Sequence, residues 1–145
     1  MTVVNRRYLG MQGRVLVVDD DPVQRLVASK LLELCDLEVV VAGDGFTALE
    51  ALRSTPVDLV LMDCHLPAIS GLDVTRAIRT ATSGATSALV PVVAVTGENV
   101  DDNLARYLAA GIDDAVAKPL RRRDVEHLVE RWLTRTTHAS PAAAS

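Results

Sequence analysis

Aromatic residues are almost missing from this sequence: one Trp, one Phe and two Tyr stand among 145 residues. So few rings leave no aromatic surround for a flavin. Cysteine is as sparse, and Cys35 and Cys64 do not form a metal-type pair. A chain of this length buries about two-thirds of its unfolded surface without a covalent staple, so both read as free thiols of a reducing compartment. No apolar run approaches the roughly 20 residues of a membrane span. Met1 to Gln12 carry Arg6 and Arg7 but lack the apolar stretch and cleavage site of a secretory signal. Residues 1–13 are therefore expected to be an extension outside the fold, and the chain is expected in the cytoplasm with no membrane contact. Excess positive charge is absent too. A formal net charge of −4 argues against a nucleic-acid partner, whose hold on phosphates rests on Lys and Arg. The short run Arg121 to Arg123 reads as a solvated face or a protein docking edge.

What the chain has is an alternation. Arg14 to Val18 (RVLVV) is a short apolar, β-branched run that stops at three aspartates, as a buried strand opening onto a polar site would. Pro22 suits a first helical turn, and Val23, Leu26, Val27, Lys30, Leu31 and Leu34 recur at helical spacing. The pattern repeats. Val39 to Val41 is a second strand, Gly43 to Gly45 a turn and Phe46 to Leu52 a helix; Val57 to Met62 is a third strand, stopping at Asp63, with a helix over Leu72 to Ala81. Thr82 to Ala88 is a connector. Leu89 to Val95, with Pro91 near its start, is a fourth strand ending at Thr96 and Gly97; Asn99 to Ala110 is a fourth helix. Ala115 to Ala117 is a short fifth strand closed by Lys118 and Pro119. Asp124 to Leu133 is a fifth helix with Val125, Leu128, Val129 and Trp132 on one face, Trp132 its core anchor. Residues 14–134 thus form one domain, and 135–145, ending SPAAAS, read as a disordered tail.

Five strands alternating with five helices imply an α/β, doubly wound, parallel sheet, since parallel strands need long crossovers. Under the flavodoxin-like order 2-1-3-4-5 the switch point lies between strands one and three, where Asp19, Asp20 and Asp63 stand. Carboxylates gathered so closely ask for a cation, and an all-oxygen set favours Mg²⁺ or Mn²⁺ over zinc. Thr96 and Lys118, at the ends of strands four and five, supply a hydroxyl and an ammonium to the same crevice, the donors that hold phosphoryl oxygens.

The segments VLVVDDDP, LVLMDCHLPAISG, VVAVTGE and VAKP, in this order over about Arg14 to Leu133, resemble the receiver domains of response regulators in two-component and phosphorelay signalling. The resemblance implies that Asp63 accepts a phosphoryl group from a phosphohistidine on a histidine kinase or a histidine phosphotransfer protein. Asp20 and Asp63 would then ligate Mg²⁺, with Asp19 acting mainly through water and the His65 backbone carbonyl completing the set. Lys118 would pair with Asp63 and then the phosphoryl group, across a cis bond to Pro119; Thr96 would bond a phosphoryl oxygen, and small Gly97 would leave room for the donor. The chain would catalyse its own phosphorylation and dephosphorylation, with the side chains of His65 and Glu98 placed to tune the attacking water. Output would pass to a partner protein through the face of the fourth helix, fifth strand and fifth helix. Receivers of this kind carry an aromatic residue three positions before the lysine that follows the hydroxyl inward. Here that position is Ala115, and Tyr107 lies elsewhere, on the fourth helix. A second departure is Asp21, where many relatives carry an amide.

Blander readings stand beside these. A lone strand-end aspartate is commonly a turn residue, and it is the joint pattern that singles out Asp63. His65, His127 and His138 read as exposed, and Cys64 as a small apolar filler. A phosphohydrolase would want its nucleophile on strand one in an Asp-x-Asp arrangement and usually a cap insertion; this chain offers a run of adjacent aspartates and no insertion. A flavin carrier would end that strand in a glycine-rich anion cradle, where this chain has aspartates. The remaining alternative is a receiver-like scaffold that binds partners without phosphorylation.

Overall fold

The computed structural model describes residues 13–81 and 84–133. Apart from Gly13, the expected N-terminal extension lies outside the described residues, as does the expected disordered tail. Five strands, β1 (Arg14–Val18), β2 (Glu38–Ala42), β3 (Leu59–Asp63), β4 (Val92–Thr96) and β5 (Asp114–Ala117), pair in parallel in the order β2-β1-β3-β4-β5. The helices are α1 (Pro22–Glu33), α2 (Gly45–Ser54), α3 (Gly71–Thr80), α4 (Val100–Ala110) and α5 (Arg122–Leu128), the last widening into π turns over Val129–Leu133. The fold is the flavodoxin-like one expected from the alternation.

Crossovers place helices on both faces, so the central strands β3 and β4 are buried along their whole length. On one face Leu16, Val18, Val60, Met62, Val92 and Ala94 pack with residues of α2, α3 and α4. On the other, Val15, Val17, Leu59, Leu61, Val93 and Val95 meet α1 and α5. Each helix entry has its own lock: Asp21, Asp44, Ser70 and Asn99 accept backbone N–H groups of the first turns of α1 to α4. Asp21 is thus a cap, its Oδ1 2.9 Å from the Val23 nitrogen.

Several expectations need correction. The apolar series chosen for α1 is largely on the outside: Val23, Leu26, Val27 and Leu34 are exposed, while Ala28, Leu32 and Cys35 are buried. The helix carries apolar residues on two sides, and the i, i+4, i+7 series with small Ala28 is the one that fits against the sheet. β3 begins at Leu59 rather than Val57, because the Val57 N–H donates to the Thr86 hydroxyl at 3.0 Å instead of to a strand. β4 begins at Val92 rather than Leu89: Pro91 has no N–H to join a ladder, and Leu89 is 84% exposed. Trp132 is no core anchor. It sits half-buried on the rim, its indole N–H 3.2 Å from Asp114 Oδ2, and Leu133 fills the interior instead.

Candidate functional site

The apolar run of β1 ends in register with β3, Val18 beside Met62, so the residues that leave the sheet next to each other are Asp19 and Asp63. Both are buried, and Asp20 beside them is exposed. Oxygens of the three carboxylates lie within 4.8 Å of one another. Lys118 follows the last residue of β5, tied by its backbone N–H to the Thr96 carbonyl at 2.7 Å and joined to Pro119 by a cis peptide. Its ammonium stands 3.4 Å from Asp19 Oδ2 and 3.4 Å from Asp63 Oδ2.

The other oxygen of each buried carboxylate is held by the chain itself. Asp63 Oδ1 accepts the His65 backbone N–H at 2.9 Å, and Asp19 Oδ1 accepts that of Asp21 at 2.9 Å. Burial pushes the Asp63 carboxyl above the usual carboxylate range; the His65 N–H and the ammonium oppose this, and Asp19 reinforces it. Burial also works against the Lys118 ammonium, but Asp63 and Asp19 outweigh it and its pKa rises. One cation shared between two buried carboxylates, with a third at the rim, leaves the crevice short of positive charge. That deficit and an all-carboxylate donor set fit a hard divalent cation such as Mg²⁺.

Thr96 is in the expected place on β4, and its hydroxyl is engaged by Tyr107 and the Glu98 backbone. It is wholly buried, 3.2 Å from the Tyr107 hydroxyl, and accepts the Glu98 backbone N–H at 3.0 Å. The His65 side chain is exposed, as expected, yet its Nε2 lies 3.4 Å from Glu98 Oε2. Cys64 is a buried thiol whose pKa burial pushes up to about 11, as suits a filler. His127 is exposed on α5; His138 lies outside the described residues.

Two functional neighbours escaped the sequence reading. Gly71 opens α3 directly against Asp63: a Cβ there would collide with the Asp63 carbonyl oxygen and come within 2.9 Å of Cys64 Cα. The other is Tyr107, fully buried behind Thr96. Its signal was Ala115, since a missing ring at one position invites a ring from another.

The model of the response regulator receiver domain family matches residues 15–130. The sensor histidine kinase GacS of Pseudomonas protegens is 35% identical over 119 residues, 82% of this chain and 13% of GacS. The DNA-binding response regulator MtrA of Mycolicibacterium smegmatis is 38% identical over 125 residues, 86% of this chain and 52% of MtrA. This chain thus spans about half or less of the length of these relatives. Among solved structures, the receiver domain of the sensor histidine kinase PA1611 from Pseudomonas aeruginosa PAO1, with a magnesium ion coordinated in its active site cleft, superposes with a TM-score of 0.74. It is 31% identical, over 84% of this chain and 98% of that one.

Proposed function

The chain belongs to the response regulator receiver domain family, and on that premise we propose that Asp63 is its phosphoacceptor, charged by a phosphohistidine of a histidine kinase or histidine phosphotransfer protein. The observation that carries this reading is the shared ammonium: Lys118 Nζ stands 3.4 Å from both Asp19 and Asp63 in a crevice with negative charge to spare.

Asp19, Asp20, Asp63 and the His65 backbone carbonyl would hold Mg²⁺, or Mn²⁺ in its place. Held there, the ion would supply positive charge to neutralise the phosphoryl oxygens. In the transfer an oxygen of Asp63 attacks phosphorus in line. A P–O bond forms as the P–N bond of the donor breaks, and the leaving imidazole keeps the electron pair and takes up a proton. Lys118 follows the charge, moving its contact from the carboxylate to the phosphoryl oxygens. The His65 N–H fixes Asp63 Oδ1, so that one oxygen is oriented while the other is presented. Water later attacks the aspartyl phosphate and restores the carboxylate. Such a chain would work in the cytoplasm and signal through protein contacts made by α4, β5 and α5, without binding nucleic acid.

The test is intact mass after incubation with Mg²⁺ and acetyl phosphate. One added phosphoryl group is expected, absent in Asp63→Asn and absent with a chelator. The second reading, a scaffold that binds partners unphosphorylated, draws on the Thr96 hydroxyl turned toward Tyr107. It gains if neither acetyl phosphate nor a phosphohistidine protein labels the folded chain.

A further inference from the structure

Tyr107 is wholly buried on α4, with its hydroxyl oxygen 2.7 Å from Glu98 Oε1 and 3.2 Å from Thr96 Oγ1. A phenol has one proton to give, and an ionised carboxylate can only accept, so the short contact is the bond that Tyr107 donates. The longer one must then be donated by Thr96. The Thr96 oxygen in turn accepts the Glu98 backbone N–H at 3.0 Å. The three residues close a ring: Glu98 N–H to Thr96, Thr96 O–H to Tyr107, Tyr107 O–H back to the Glu98 carboxylate. From outside, Arg106 Nη2 at 2.9 Å and His65 Nε2 at 3.4 Å hold that carboxylate in place. Ala115 is packed against the apolar cluster that contains Tyr107.

A threonine hydroxyl also has one proton. It can go to Tyr107 or to a phosphoryl oxygen on Asp63, not to both. We propose that Tyr107 is the positioning residue that holds the Thr96 hydroxyl proton away from Asp63 in the unphosphorylated chain, and that through this bond the state of Asp63 reaches α4. The inference rests on the reading of Asp63 and Thr96 given above. When Thr96 turns to the phosphoryl group, the buried Tyr107 oxygen loses its donor. It keeps the bond it donates to Glu98 but loses the one it accepts, and a buried oxygen with one bond fewer shifts the balance that holds the ring and its helix in place.

The experiment follows phosphoryl gain from acetyl phosphate with Mg²⁺ by intact mass, and amide hydrogen exchange along Val100–Ala110, in the unmodified chain, Tyr107→Phe, Thr96→Val, Thr96→Ser and the Tyr107→Phe/Thr96→Val double variant. Tyr107→Phe frees the Thr96 proton and should raise the initial rate about three- to tenfold, the factor carried by one redirected hydrogen bond. The gain should vanish in the Thr96→Val background, which has no proton to redirect. The exchange change that phosphorylation produces in α4 should survive Thr96→Ser and disappear in Tyr107→Phe. A Tyr107→Phe chain that gains phosphoryl at the unmodified rate with an unchanged α4 response, or whose rate effect persists with Thr96→Val, overturns the inference and leaves the reading of Asp63 standing. Failure of the unmodified chain to take up phosphoryl from either small-molecule or phosphohistidine donors overturns that reading and this inference with it.

Discussion

The two ends of the sheet each gather charge, and they do it in opposite ways. At the end where β4 and β5 begin, Arg79 reaches from α3 and satisfies all its donors. Nη1 bonds the carbonyls of Ala88 and Val90 at 2.7 Å each, Nε and Nη2 bond that of Gly111, and Nη2 also bonds Asp113 Oδ2 at 2.8 Å. Asp113 in turn accepts the Val92 N–H at 2.9 Å. The cluster around Arg79 pairs one cation with one carboxylate and leaves no guanidinium N–H over. At the other end three carboxylates face one ammonium. Balance marks the first cluster as a clamp between α3, the start of β4 and the loop before β5. Imbalance marks the second as a place where something positive is meant to come and go.

The comparison predicts which end holds the molecule together. Arg79→Ala should cost about 3 kcal/mol in urea unfolding, because it takes the charged donors from three carbonyls, part-buried in these bonds, and unties Asp113 from α3. Arg79→Lys should recover only part of this, since an ammonium cannot fork to five acceptor contacts. The Arg79→Ala chain, while folded, should still gain phosphoryl on Asp63. A loss below 1 kcal/mol would break the contrast at its structural end.

A smaller effect sharpens the other end. Mg²⁺ at ten times its Kd should raise the unfolding free energy by about 1.4 kcal/mol. The increment should shrink in Asp20→Asn, whose exposed carboxylate makes no contact that the fold needs, and persist in the Arg79 variants. An equal Mg²⁺ increment in Asp20→Asn would remove that residue from the ligand set.

Most of the fold was legible because the apolar runs are short, rich in β-branched residues and each give way to polar or turn-forming residues. Asp19, Asp63 and Thr96 stand where those runs end, and the parallel order then brings the first two together. What failed was choice of face. The α1 sequence offers two apolar stripes, and only the sheet decides between Val23, Leu26, Val27 and Ala28, Leu32, Cys35. Pattern also says nothing about rotamers. It set Thr96 at the right strand end but could not see its hydroxyl turned to Tyr107, a residue eleven positions away on a helix that has not yet docked when one reads the chain as a string. Gly71 falls just before the helix expected from Leu72, whereas the structure needs it for lack of a side chain beside the Asp63 carbonyl.

The smallest effect is one of sign. Burial raises the Asp63 pKa, so between the ordinary carboxylate value and the raised one the folded chain holds more protons than the unfolded chain, and stability falls as pH rises through that window. Above it the burial penalty on the charge is fully present. Asp63→Asn cannot ionise and keeps much of the shape. Without Mg²⁺ it should therefore be more stable than the unmodified chain at neutral pH, by less than the Mg²⁺ increment, and the gap should close as pH is lowered past the ordinary carboxylate range. Lys118 does not reverse this: its raised pKa adds stability that is complete at neutral pH and lost only above its ordinary value, and in Asp63→Asn the ammonium still has Asp19 at 3.4 Å. An asparagine variant less stable than the unmodified chain at neutral pH would mean that the ammonium more than offsets the burial of Asp63. The functional end would then resemble the clamp at Arg79 more closely than its charge count suggests.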